Sequence, residues 1–238
     1  MTERSRPEQP RQRWQLLFAR RAPALRMRQA DLIPAFAEAF TQAGLPLSHS
    51  NAAKPRPRIK LAANPPVGLE LRGEIVEAYF DDLVPIERIQ AAGQLFPEGV
   101  ELLDAREVWH GYPSASSQLR AAEYEVTALG NGELTSDELR GAVVRLLAAK
   151  TLPGKRRRGE SERRADAAER DLRPLIEDVE VLDVDEKAHT AKLRMVLRLD
   201  ATGAGRPEDI VNALDLPLRP LEAVRSRLLF VDTPPIAR

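Results

Sequence analysis

Between Asn51 and Ala63 the chain reads NAAKPRPRIKLAA, which places Lys54, Arg56, Arg58 and Lys60 at every second position. In an extended chain successive side chains point to opposite faces, so the four cations share one side and Ile59 and Leu61 the other. At about 3.3 Å rise per residue, neighbouring charges in that row stand roughly 7 Å apart. Such a row can follow an extended phosphate backbone, and release of the phosphate counterions would make the binding salt-dependent. Pro55 and Pro57 withhold two backbone donors, which predicts a loop or a sheet edge rather than a central strand. The same pattern reads equally as a solvated edge guarded by charges.

Three further groups invite chemistry. The run Lys155, Arg156, Arg157 and Arg158, followed by ESERR, reads most simply as a mobile, mixed-charge loop, with ordering on RNA or an acidic partner as its functional reading. In the segment DLRP, Asp171 and Arg173 share a face if extended, either as an anion contact or as a local ion pair at a strand-start turn. The stretch TAKLRMVLRL sets Lys192, Arg194 and Arg198 opposite Leu193, Met195, Leu197 and Leu199, the outer face expected of a half-buried strand. The predicted nucleic-acid contacts are therefore Lys54, Arg56, Arg58, Lys60, Lys155, Arg156, Arg157, Arg158 and Arg173. His49, beside Ser48, Ser50 and Asn51, reads as an exposed loop residue or, alternatively, as a general base titrating near neutrality.

The 238 residues contain no cysteine, which removes disulfides, thiolate metal sites and a cysteine nucleophile. His49, His110 and His189 lack metal-ligand spacing, and neither a glycine-rich phosphate loop nor a GxSxG elbow is present. No catalytic residue, metal or cofactor is expected. Lysine plus arginine, 36, balance 36 acids, so basic faces must be local. No apolar run reaches the roughly 20 residues of a membrane helix, and the polar start MTERSRPEQPRQR does not read as a signal peptide. A cytoplasmic protein without membrane contact is expected.

The elements that must position these residues fall into two rounds. WQLLFA, a helix opened by Asp31 and stopped near Gly44, the strands RIKLA and EIVEAYFDDL, a helix from Ile86 to Leu95 and the strand VELLDAREVWH form the first. AEYEVTAL, a helix from Ser136 with Thr135 and Glu138 as a capping box, PLIEDVEVLDV, TAKLRMVLRL, a helix from Pro207 and RSRLLFV form the second. Strand, helix, strand, strand, helix, strand is the split βαβ order, so the expected fold is α+β with two tandem ferredoxin-like (βαββαβ) domains and antiparallel sheets. The expected boundaries are a disordered tail at 1–12, a first domain at 13–110, a linker at 111–119, and a second domain at 120–238 with a charged loop at 151–170.

In order along the chain, FARRAPALRMRQADL, QAGLPLSHSNAAKPRPRIKLAANPPVGLE, KRRRGE, RDLRPLIEDVEVLD, RPEDIVNALDL and VRSRLLF resemble successive blocks of the radical-SAM-associated domain of unknown function. That family consists of proteins fused to, or encoded beside, cobalamin-type radical SAM proteins in bacteria. The resemblance runs from about Arg13 to Val231. It retains Pro55, Arg56, Pro57, Arg58, Asp171, Arg173, Pro174, Arg206 and Pro207, but lacks the family's Ser-His before Asp31 and its Gly-Phe-Asn-Pro before the basic motif. It implies a separately encoded radical SAM partner, since this chain has no cysteines for the cluster. The family's gene neighbourhood with ribonuclease E/G-type genes implies a connection to RNA.

The expected function is a noncatalytic accessory to a radical SAM enzyme that binds RNA or presents a substrate through a basic surface. Two alternatives stand beside it. Tandem ferredoxin-like domains also resemble CRISPR repeat endonucleases, which gives a metal-independent RNA-processing enzyme, and the third reading is a protein-docking module without nucleic acid. Aromatic residues are only 5% of the chain, which favours backbone contacts over base stacking.

Overall fold

A computed structural model describes residues 9–154 and 170–231. It is a mixed α+β structure whose strand pairings are mostly antiparallel. The chain forms two compact units, one of Met1–Leu119 with Arg227–Arg238 and one of Arg120–Ser226. Residues 1–8 of the expected tail and the run Lys155 to Arg158 lie outside the described residues. Among the described residues no helix is long and apolar enough to cross a membrane.

The first unit contains β1 (Gln12–Arg20), α1 (Gln29–Gln42), β2 (Ile59–Leu61), β3 (Glu70–Phe80), α2 (Ile86–Gly93), β4 (Val100–Glu107) and the single turn α3 (Ala115–Gln118). β1 pairs with both β3 and β4, and β2 pairs with β3, giving the order β4-β1-β3-β2. One face carries Trp14, Leu16 and Phe18 of β1 with Val76, Ala78 and Phe80 of β3, and packs on Leu32, Phe36 and Phe40 of α1 and Ile89 of α2. Edge-to-face pairs Phe18–Phe36 at 5.2 Å, Phe36–Phe96 at 4.9 Å and Phe40–Phe80 at 5.5 Å between centroids interlock the helix with the sheet. Such pairs each contribute about 0.5–1.5 kcal/mol beyond area burial.

Helix α1 begins earlier than its sequence suggests. Asp31 is its third residue rather than its cap, and its carboxylate accepts the Arg28 backbone N–H at 2.8 Å. Gly44, at φ +65°, ends the helix in the left-handed conformation that glycine tolerates, and the Leu45 N–H returns to the Phe40 carbonyl.

The second unit contains β5 (Leu119–Gly130), α4 (Ser136–Ala148), β6 (Pro153–Gly154), β7 (Arg170–Asp171), β8 (Ile176–Asp185), β9 (Thr190–Asp200), β10 (Gly203–Ala204), α5 (Pro207–Ala213) and most of β11 (Leu218–Phe230). β9 pairs with β5, β8 and β10, while β11 lies beside β5. Thr135 and Glu138 form the expected capping box, with each residue accepting from the other's backbone N–H at 3.3 Å. β11 begins seven residues before the expected strand. Pro217 and Pro220 disguise its first half as a turn.

Candidate nucleic-acid interface

The basic stretch is one arm of an exposed loop. Backbone bonds from Ser50 N–H to the Arg56 carbonyl at 2.8 Å and from Arg58 N–H to the Ser48 carbonyl at 2.7 Å tie residues 48–50 to 56–58. The Arg56 N–H is also held by Ser50 Oγ at 3.0 Å. Residues 51–54 form the bent tip, so Lys54 leaves the straight row predicted from alternation. From Arg56 onward the chain is extended. Ile59 and Leu61 are buried, whereas Arg56 and Lys60 are exposed and Arg58 is half-buried. No salt bridge involves Lys54, Arg56, Arg58 or Lys60 among the described residues.

A cross-strand row starts at Arg58. The Tyr79 N–H donates to the Arg58 carbonyl at 3.1 Å, Arg13 stands opposite Tyr79, and the Val108 N–H reaches the Arg13 carbonyl at 2.8 Å. Beside it, Lys60 is opposite Glu77, Glu77 opposite Gln15, and Gln15 opposite Arg106. Polar side chains thus occupy the sheet face away from the phenylalanine core.

Arg13 and Glu77 form a buried ion pair, each side chain only 2% exposed. Glu77 Oε1 also accepts from Gln15 Nε2 and from the Ala115 backbone N–H, both at 2.9 Å. Arg13 donates further to the carbonyls of Tyr112 at 2.6 Å and Pro113 at 3.0 Å. Residues 112–115, within the segment expected as a linker, are therefore strapped over the first unit's sheet. The Arg13 guanidinium lies 5.8 Å from the Tyr79 ring centroid, and His110 lies 6.2 Å from that ring on the same unit. Burial and the neighbouring Glu77 raise the Tyr79 phenol above its ordinary value, against the opposing pull of Arg13 and Arg58.

The other predicted residues have different surroundings. Arg173 donates from Nη1 to the Ile176 carbonyl at 2.8 Å and from Nη2 to the Leu147 carbonyl at 3.0 Å, clamping the last turn of α4 to the start of β8. Asp171 accepts the backbone N–H groups of Leu152 at 2.7 Å and Arg173 at 2.9 Å, and these bonds hold its carboxyl below the usual value. His49 is exposed and its Nδ1 contacts the Leu47 carbonyl at 2.9 Å, which orients the ring with Nδ1 as donor. On β9, Arg194 binds Glu123 at 3.1 Å, Asp178 at 2.7 Å and Glu180 at 3.0 Å, and Arg198 binds Asp200 at 2.6 Å. Among the described residues no group of three His, Asp or Glu side chains is arranged to hold a metal ion.

The sequence reading missed the Arg13–Glu77 pair and the aromatic residues beside it. A signal was present in the phase of the strands. Arg13 and Gln15 alternate with Trp14, Leu16 and Phe18, and Glu77 alternates with Val76 and Ala78, so a sheet with both faces covered must bury those polar groups.

Fold and surface together define a mixed α+β, mostly antiparallel protein with a basic loop on its first unit. The chain belongs to the bacterial family described as "uncharacterized protein conserved in bacteria" (DUF2344), whose family model matches residues 13–207. It is similar to a chain of a Cbf5-Nop10-Gar1 complex at 11% identity and TM-score 0.48, covering 89% of this chain and 48% of that one. A chain in the structure of an H/ACA RNP bound to a substrate RNA containing 2'-deoxyuridine gives 8% identity and TM-score 0.48, covering 90% and 47%. A chain of the archaeal box H/ACA sRNP Nop10-Cbf5 complex gives 10% and 0.41, covering 89% and 46%. The chain spans about half the length of these structural relatives. No curated protein matches it.

Proposed function

We propose that this protein is a noncatalytic accessory that holds RNA on the basic loop of its first unit and serves a separately encoded radical SAM protein. The observation that carries the RNA reading is the set of Lys54, Arg56, Arg58 and Lys60 without a carboxylate partner among the described residues. Like charges about 7 Å apart repel by roughly 0.6 kcal/mol per pair even in water, and a polyanion laid along them relieves that repulsion. Lys155 to Arg158 extend the proposed contact set. Arg173 enters it with two guanidinium nitrogens already committed to carbonyls. The radical SAM partner is inferred from the sequence resemblance, and the absence of cysteine places any cluster outside these 238 residues.

The finer fold reading is two ferredoxin-like halves that meet near residue 120. The strand order β4-β1-β3-β2 in the first unit and β11-β5-β9-β8 in the second support it, because each places the first and third strands of its round at the centre.

The test is retention of single-stranded RNA by the full chain over a series of salt concentrations, repeated with Arg56→Ser/Arg58→Ser. Binding that weakens with salt and weakens again in the variant is the expected result. Retention unchanged by the two substitutions would sink the assignment to this loop. Co-expression with the neighbouring radical SAM protein tests the partner, and a failure to co-purify at low salt removes it.

A further inference from the structure

Trp109 is 78% exposed, the most exposed of the large hydrophobic side chains on the described surface. Its ring lies against the backbone of Gly111. A Cβ at Gly111 would lie 2.2 Å from Trp109 Cη2 and 2.4 Å from Cζ3, so the indole lies on glycine backbone that any larger residue would displace. An indole this exposed contributes little to the core. The core's own tryptophan, Trp14, is 4% exposed.

The position of Trp109 gives the ring a use. The cross-strand row Arg58, Tyr79, Arg13, Val108 runs from the residue before β2 across β3 and β1 to the residue after β4, and Trp109 follows Val108 in the chain. Three strand spacings of about 4.8 Å separate its ends by about 14 Å. Tyr79 stands within the row, with the His110 ring 6.2 Å away between centroids and the Arg13 guanidinium 5.8 Å from its centroid. Cations without acidic partners therefore lie at one end of the row, and an exposed indole follows the other end in the chain.

We propose that Trp109 is a base-stacking platform which, with the Lys54 to Lys60 run, forms a track for single-stranded nucleic acid across the first unit. This rests on the RNA-binding reading and adds to it a contact with bases. Every base has a π face, so stacking on an exposed indole is sequence-tolerant, and phosphates spaced from the base reach the cations. A duplex, whose bases are already stacked, has no face to offer, so the track selects single strands.

The experiment uses the full chain, with intrinsic tryptophan emission as readout and two probes, oligouridylate and inorganic polyphosphate. Both present phosphates, and only the first carries bases. Oligouridylate is expected to quench the emission and polyphosphate to bind without quenching, with the quench absent in Trp109→Phe. Trp109→Ala should weaken oligouridylate about 5- to 150-fold, the equivalent of one stacked base, and leave polyphosphate affinity unchanged. Gly111→Ala, which moves the ring and keeps it, should lower the quench. Salt-sensitive oligouridylate binding with no quench and no response to Trp109→Ala overturns the stacking platform and leaves the phosphate-binding reading standing. Equal quenching by polyphosphate also overturns it, and failure to bind oligouridylate at all overturns both readings.

Discussion

Two stretches of this chain carry cations at alternate positions, and the structure treats them in opposite ways. On β9 the Arg194 guanidinium contacts three carboxylates, Glu123, Asp178 and Glu180, and Arg198 is held by Asp200. In the loop of the first unit Arg56, Arg58 and Lys60 follow the same spacing with no acidic partner among the described residues. The first arrangement satisfies its charge within the fold, and the second leaves it directed at solvent. Alternation alone therefore does not identify an anion site. The residues opposite on neighbouring strands decide it.

The largest effect expected lies beneath the basic loop. Glu77→Gln would leave the Arg13 guanidinium buried beside a neutral amide, and breaking a buried pair from one side costs about 3–5 kcal/mol. Arg194→Met removes a cation whose side chain is 30% exposed, and exposed pairs are worth about 0–1 kcal/mol each. Urea unfolding of both variants measures the contrast. Equal losses would mean that the Arg13–Glu77 pair does not anchor residues 112–115 as the hydrogen bonds indicate.

Binding sharpens the comparison from the other side. For single strands the slope of log affinity against log salt falls by about 0.7 for each phosphate contact removed. Arg56→Ser/Arg58→Ser should flatten it by about 1.4, while Arg198→Ser should leave it unchanged because its charge already faces Asp200. A slope that responds equally to both would erase the distinction between paired and unpartnered cations.

Much of this contrast was legible in the sequence, and the reasons it was incomplete are physical. Alternation correctly gave Ile59 and Leu61 to the core, and Leu193, Met195 and Leu197 to the buried face of β9. The Thr135 and Glu138 spacing gave the start of α4 because a capping box depends only on local residues. Asp31 misled, since an acid three residues inside a helix can reach back as well as cap. Lys54 left the predicted row because the bent tip at 51–54 interrupts the extension on which alternation depends. The Arg13–Glu77 pair is set by register between strands more than sixty residues apart, and nothing local specifies it. Composition also understated the aromatics. A low overall content says nothing about where the few rings stand, and Tyr79 lies 6.2 Å from the His110 ring on the first unit.

The smallest effect expected is the response to pH, where the two regions should diverge again. Asp200 accepts the Thr202 hydroxyl at 2.6 Å, the Arg198 Nε–H at 2.6 Å and the backbone N–H groups of Thr202 and Gly203, and these bonds hold its carboxyl well below the ordinary 3.8. A lowered carboxyl contributes stability that is present above the unfolded value and is lost as pH falls through the folded one. The gap in stability between the parent and Asp200→Asn should therefore be full at neutral pH and close progressively below about 3.8. Tyr79 works in the opposite direction, because its raised phenol contributes stability that is present below 10 and is lost as pH climbs through the folded value. Hydrogen exchange resolves the two by location. Acid should first release the Thr202 and Gly203 amides while the Tyr79 amide stays protected, and alkali should reverse that order once intrinsic exchange rates are divided out. If acid loosened the amide of Tyr79 before those of Thr202 and Gly203, the bonds that Asp200 accepts would not be what its lowered carboxyl stabilises, and the assignment of the Arg198–Asp200 pair to structure would lose its physical basis.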